Sequence, residues 1–234
     1  MRITVLHDDP LWPDLLRAAL TRHGHVCHFF TSDTSLLKEM RHETFDLLIA
    51  DWHLGGTDGM ALLRRLRETT GPQMPILLVT RQGDERSAIE ALHQGADDFM
   101  AQPLRQHEVA ARVTALLRRA YPQALGEALA FGPYRFDPAQ RVLWLRDEPL
   151  ALKNREYELA LFLFRNAGRL LSRAHLREAV WGVPGEAPSR SLDTHISRLR
   201  SKLQLAPANG YAITAVYGTG YRLEPAAPEG LGSD

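Results

Sequence analysis

Over its first 120 residues the chain alternates short apolar runs with amphipathic stretches five times, a rhythm that few folds accommodate. Ile3 to Leu6, Val26 to Phe30, Leu47 to Ala50, Ile76 to Val79 and Phe99 to Met100 read as strands. Apolar residues recur at helical spacing through Pro13 to Arg22, Ser35 to Arg41, Met60 to Glu68, Glu85 to Gln94 and His107 to Arg119. Strands that are apolar throughout must bury both faces, so the pattern predicts an α/β unit with five parallel strands covered by helices on both sides. The lone Cys27 falls in the second strand and is read as a small core residue.

The rhythm stops near residue 120, and Tyr121 to Ala128, with Pro122 and Gly126, reads as a linker (121–128). The expected organisation is therefore 1–120, a linker, a second domain over 129–225 and a flexible tail over 226–234. Lys and Arg total 28, as do Asp and Glu, so the formal net charge is zero and any basic surface must be local. No apolar run approaches the roughly 18 to 20 residues that a membrane-spanning helix requires, and the start MRITVL turns acidic at once. A cytoplasmic protein with no membrane partner is expected.

The second half carries its own signal. Leu192, Ile196, Leu199 and Leu203 recur at steps of four, three and four, which places them on one stripe of a helix. The positions most nearly opposed to it are Arg190, Thr194 and Ser201, with Ser197 and Arg198 beside them. Between Ala187 and Gln204 the cations Arg190, Arg198, Arg200 and Lys202 face one acid, Asp193, for a net charge of +3. Such a face suits phosphates. Arg198 can lie against a guanine edge with two parallel hydrogen bonds, while Arg190, His195 and Arg200 are placed for backbone phosphates. Alternating Tyr211, Ile213 and Ala215, then Tyr221 and Leu223, flank Gly218-Thr219-Gly220, so a β-hairpin follows the helix and brings Tyr217 and Thr219 to its tip.

Residues 129 to 224 resemble the winged-helix effector domain of OmpR/PhoB-type response regulators. The likeness runs through Leu152, Glu156, Asn166-Ala167-Gly168, Ser172-Arg173, Leu176, Val180-Trp181, Arg190, Asp193, His195-Ile196, Arg198-Leu199-Arg200, Lys202-Leu203 and Gly218 to Arg222. It implies an α+β winged helix-turn-helix domain that binds double-stranded DNA at promoter direct repeats. It also implies four strands before the helices, for which the chain offers Leu129 to Phe131, Tyr134 to Asp137, Arg141 to Leu145 and Leu150 to Leu152. At Tyr217 the family usually carries an arginine that enters the minor groove, so a charge favoured in narrow grooves is missing here.

The segment LLIADWHLGGTDGMALLRRLR, Val79-Thr80 and GADDFMAQPL at 95 to 104 resemble the flavodoxin-like receiver domain of the same family over residues 1 to 119. The resemblance implies that Asp51 is a phosphoacceptor served by a histidine kinase, Asp8 a metal ligand beside it, and Thr80 and Phe99 the switch pair. Acids converging where strand order reverses suit a Mg2+ ion. Three positions depart from the family. His7 stands where the family has the first acid of its acidic pair, since the 43-residue step back from Asp51 to the second acid lands on Asp8; Gln102 replaces a lysine; Arg81 replaces a small residue. At about 4 Å and an effective dielectric near 20 a charge pair is worth on the order of 4 kcal/mol before desolvation, so the lost lysine matters. His7 or Arg81 is expected to bring positive charge to Asp8 and Asp51, giving an atypical or phosphorylation-independent regulator. The alternative is conventional activation by phosphorylation with Mg2+, and a remoter one is a magnesium-dependent phosphatase-like enzyme. The family's receivers pair through the fourth helix, fifth strand and fifth helix, where Arg86, Asp97, Asp98, Glu108, Arg112 and Arg119 are expected to form ion pairs across a homodimer.

Overall fold

The computed structural model describes residues 1–55, 59–70, 74–122, 129–182 and 189–226, and the chain divides into two compact units, Met1–Pro122 and Gln123–Asp234. The expected linker lies outside the described residues from 123 to 128, as does the expected tail beyond 226. Tyr121 is buried and ends the fifth helix, so the first unit reaches past residue 120.

In the first unit β1 (Arg2–Leu6), β2 (Val26–Phe30), β3 (Leu47–Asp51), β4 (Ile76–Thr80) and β5 (Asp98–Ala101) form one parallel sheet in the order β2-β1-β3-β4-β5. Every residue of β1, β3 and β4 is buried. Parallel register pairs Leu6 with Ala50, Asp51 with Val79 and Thr80 with Ala101. Leu6, Leu48, Ala50, Ile76 and Leu78 meet Leu36 and Leu37 of α2 (Asp33–Glu39), Leu62, Leu63 and Leu66 of α3 (Gly59–Thr70), and Ala91 of α4 (Glu85–His93). Alternation along a strand sends Ile3, Val5, Ile49 and Val79 to the other face, where α1 (Trp12–Leu20) packs on α5 (Gln106–Ala120). Strand β2 corrects the expectation of five buried strands. It is an edge strand, half exposed throughout, and Cys27 is half-buried, with burial pushing its thiol up to about 11.

The second unit opens with an antiparallel sheet of β6 (Ala130–Phe131), β7 (Tyr134–Asp137), β8 (Val142–Leu145) and β9 (Glu148–Leu150). The last strand lies two residues earlier than the resemblance implied. Leu145 pairs with Glu148, so a two-residue turn at Arg146-Asp147, with Arg146 at φ 56°, starts the return strand at once. Helices α6 (Asn154–Arg165), α7 (Arg173–Trp181) and α8 (Ser189–Lys202) follow, with β10 (Leu170–Ser172) between the first two. Strands β11 (Tyr211–Val216) and β12 (Gly220–Pro225) form the hairpin, and β10 joins the outer side of β12. Gly220 faces Ser172 across that pair, and a Cβ there would stand 2.0 Å from the Leu171 carbonyl oxygen, so the position admits only glycine. Leu192, Ile196, Leu199 and Leu203 are fully buried in a core with Phe131, Tyr134, Phe136 and Phe164, as the spacing of α8 requires. The Tyr134 hydroxyl donates to the Leu203 carbonyl at 2.9 Å, and buried Glu156 accepts from the Lys153 amide at 2.9 Å and from Lys202 Nζ at 2.6 Å.

His25, just before β2, is buried, and its pKa is lowered to about 4 by burial first, then by the N-terminal amine and His23. The unfolded chain then binds a proton that the folded chain excludes, so stability falls as pH drops from about 6.5 toward 4, by at most on the order of 3 kcal/mol from this group. Urea denaturation at pH 7 and pH 4.5 checks this. The loss on acidification should be smaller in His25→Leu than in the wild type, and equal losses would contradict it.

Candidate functional site

The first site forms where β1, β3 and β4 emerge from the core. Because these strands are buried throughout, ionisable groups can stand only at their ends, and the strand order reverses between β1 and β3 there. Asp51, the last residue of β3, is buried. Burial raises its carboxyl pKa above the ordinary range, the His53 amide opposes that rise, Asp8 adds to it, and the charges of His53 and Arg81 oppose it. The His53 N–H donates to Asp51 Oδ1 at 2.9 Å. Asp8 is exposed and its Oδ2 accepts from the Gly55 amide at 3.1 Å, tying the β1–α1 and β3–α3 loops together. A desolvated carboxylate beside a second one is basic and nucleophilic, and needs a positive partner when both are ionised.

Thr80 is buried at the end of β4, its hydroxyl 3.5 Å from the Met100 carbonyl, at the limit of a hydrogen bond. Thr80, Arg81, Asp84, Ile89 and half-buried Phe99 line a cavity of about 350 Å3. Arg81 is exposed and half-buried Gln102 donates its amide to the Thr80 carbonyl at 2.8 Å. The Gln102-Pro103 bond is cis.

His7 departs from expectation. Its ring lies buried between Trp12, stacked at 5.5 Å, and Phe29, edge-on at 5.8 Å, and neither ring nitrogen has a hydrogen-bond partner among the described residues. The residue follows a strand that is buried along its whole length and takes the slot that the two aromatic rings offer, rather than turning toward Asp8 and Asp51. It is not among the charges that act on Asp51. The histidine that does act there is His53, whose Nε2 bonds Asp84 Oδ2 at 2.7 Å and so links the β3–α3 loop to the start of α4. Ser87 first, and then His53, hold the Asp84 carboxyl below its ordinary range. Sequence reasoning missed this pair because it joins two loops 31 residues apart.

Two carboxylates, Asp8 and Asp51, thus stand where the resemblance implies Mg2+, and no group of three or more His, Cys, Asp or Glu side chains that could hold a metal ion gathers among the described residues. One or two carboxylates completed by water and phosphate oxygens are an ordinary Mg2+ donor set, so these residues fit such an ion without enclosing it.

The second site is the outer face of α8. Thr194, Ser197, Arg198 and Ser201 are all exposed there, as their spacing predicts. The side chain of Arg190 lies outside the described residues. His195 is half-buried against Trp181, ring centroids 5.4 Å apart. Arg200 corrects the expectation of a phosphate contact. Its Nε and Nη2 both donate to the Ile213 carbonyl on β11, at 3.2 and 2.8 Å, and its guanidinium lies 6.0 Å from the Tyr221 ring. Asp193 accepts from the Tyr221 hydroxyl at 2.6 Å and pairs with Arg173 at 3.5 Å. Of the four cations counted in the sequence, Arg200 and Lys202 therefore hold the fold, and Arg198 projects into solvent. At the hairpin tip Tyr217 is fully exposed, Gly218 takes φ 75°, and the half-buried Thr219 accepts the Arg173 amide at 3.1 Å.

The charges expected to pair between subunits meet within one chain. Arg112 bonds Asp98 at 2.9 Å and Glu108 at 3.0 Å, and Asp97 pairs with Arg119 at 3.6 Å and with Arg67. Arg86 is exposed on α4. Asp98 on β5 and Glu108 on α5 thus share Arg112, while Asp97, just before β5, is met by Arg119 of α5 and Arg67 of α3.

Two family models match the chain: a response regulator receiver domain over residues 3–114 and the C-terminal domain of transcriptional regulatory proteins over residues 147–223. The transcriptional regulatory protein QseB of Escherichia coli O157:H7 is 36% identical over 223 residues, covering 95% of this chain and 99% of the relative. The phosphate regulon transcriptional regulatory protein PhoB of Rhizobium meliloti is 34% identical over 95% of this chain and 98% of its own length. The crystal structure of DrrB, an OmpR/PhoB homologue from Thermotoga maritima, is 27% identical, covers 95% of this chain and 98% of that one, and superposes with a TM-score of 0.45.

The division of labour on α8 is testable by thermal unfolding. Arg200→Ala leaves the Ile213 carbonyl without its donors and should destabilise the second unit by about 1 to 2 kcal/mol. Arg198→Ala should stay within about 0.5 kcal/mol of wild type, as exposed substitutions do. Equal losses would contradict the assignment.

Proposed function

Because the chain belongs to the OmpR/PhoB-type response regulators and is a DNA-binding transcriptional regulator rather than an enzyme, we propose that its grip on promoter DNA is set by phosphorylation of Asp51. The observation that carries the DNA half of this reading is the exposed strip of Thr194, Ser197, Arg198 and Ser201, the one solvent face of a helix otherwise buried and pinned to the hairpin. Arg198 reads a guanine edge, the small hydroxyl residues admit close approach, and His195 with Arg190 steadies backbone phosphates. Tyr217 and Thr219 meet the neighbouring groove without a positive charge.

In the first unit an Asp51 oxygen attacks the phosphorus of a kinase phosphohistidine, the P–N bond breaks, and the imidazole leaves with the electron pair. Asp8 and Asp51 would hold a Mg2+ ion, which supplies positive charge to the transferring oxygens. The weakly held Thr80 hydroxyl is free to re-aim at the phosphoryl group, and Phe99 borders the cavity into which its ring can turn. Control without phosphorylation called for His7 or Arg81 as a cation beside the acids; His7 is stacked in the core, which leaves Arg81 alone for that part. Exposed Ile89 and Leu92 on α4 offer an apolar patch for a receiver homodimer, which would set two winged helices on direct repeats about one DNA turn apart. No helix among the described residues is long and apolar enough to cross a membrane, which fits a protein working on DNA in the cytoplasm.

Fluorescence anisotropy with a fragment from upstream of the protein's own gene, at two salt concentrations, tests the reading surface. Wild type should prefer the fragment over random DNA, and Arg198→Ala should weaken binding by about tenfold or more. Weak retention without sequence preference, unaffected by the substitution, would contradict it.

A further inference from the structure

The geometry points to Arg81 as the cation that grips the phosphoryl group on Asp51, taking over the task that the missing lysine at Gln102 leaves open. The inference rests on Asp51 being the acceptor. Parallel pairing aligns Asp51 with Val79, and the Trp52 amide donates to the Val79 carbonyl at 2.9 Å, so β3 and β4 leave the core side by side. Arg81 is the first residue beyond β4 and Gln102 the first beyond β5, and the Gln102 amide bonds the Thr80 carbonyl at 2.8 Å. Positions 81 and 102 are therefore neighbours at the same mouth. A long cation placed at one can reach the space that a lysine would enter from the other.

The rival groups there are already committed. His7 is stacked between Trp12 and Phe29, His53 is bonded through Nε2 to Asp84 at 2.7 Å, and Gln102 carries no charge. Arg81 is exposed, and its guanidinium makes no hydrogen bond or ion pair with the side chains the structure describes. The Arg81 guanidinium stands near enough to Asp51 for their charges to interact. A guanidinium also suits the task, because its fork of N–H donors matches two phosphoryl oxygens at once, whereas an ammonium offers a point charge. In the transfer, the P–O bond to Asp51 forms as the donor's P–N bond breaks, the leaving nitrogen keeps the electron pair and takes a proton from water, and Arg81 holds two of the three non-bridging oxygens throughout.

The test uses the full chain with Mg2+ and phosphoramidate as a small phosphodonor, following phosphorylation by intact mass, with Asp51→Asn locating the modification. Arg81→Ala should slow labelling by at least about tenfold, the least expected when a cation on the transferring group is removed. Adding Gln102→Lys to that variant should restore most of the rate, and thermal unfolding should show both variants folded, since Arg81 is exposed. If Arg81→Ala labels as fast as wild type, or stays slow when the lysine is supplied, the role of Arg81 is overturned while Asp51 remains the acceptor. If the wild type itself takes no phosphoryl group at Asp51, the acceptor reading falls, and this inference with it.

Discussion

Complete burial of β1, β3 and β4 is the constraint on which the first unit depends. Parallel neighbours about 4.8 Å apart, buried along their whole length, leave no place for charge except at their ends. Register then fixes which residues share that end, and here it gathers Asp8, Asp51, Thr80, Arg81 and Gln102 at one mouth. The chemistry follows from placement, because burial makes the Asp51 carboxyl more basic and Asp8 makes its charge harder to bear alone.

The second unit solves a different problem, which is to hold one helix face rigidly outward. Tyr134, Glu156 with Lys202, and Arg200 on the Ile213 carbonyl fix α8 from three sides, while Tyr221 on Asp193 joins it to the hairpin. A buried pair such as Glu156 and Lys202 is weak evidence of stability by itself, yet removing one partner would leave a buried charge, so the register of α8 is strongly specified. Rigidity matters to the proposed reading, in which Arg198 meets a base edge and its guanidinium must arrive already aimed.

Much of this was legible in the residues. Apolar runs located the five strands of the first unit, helical spacing located α8 and its buried stripe, and the glycines located the hairpin. What escaped was the direction of individual polar side chains. His7 carries a charge-bearing ring but follows a buried strand, so aromatic neighbours captured it. Arg200 sits in a basic run yet faces a strand carbonyl that only the folded hairpin supplies. Cys27 was placed in the core because the apolar run around it does not reveal that β2 lies at the sheet's edge. His53 and Asp84 become a pair only when two distant loops meet above β3 and β4.

The central claim is that the state of Asp51 governs how α8 holds DNA. It is tested most directly by measuring affinity for the upstream fragment before and after phosphoramidate treatment, in the wild type and in Asp51→Asn, at one fixed salt concentration. The account predicts tighter binding by treated wild type and no change in the variant. Equal affinity in all four samples, with phosphorylation of the wild type verified by mass, would contradict it.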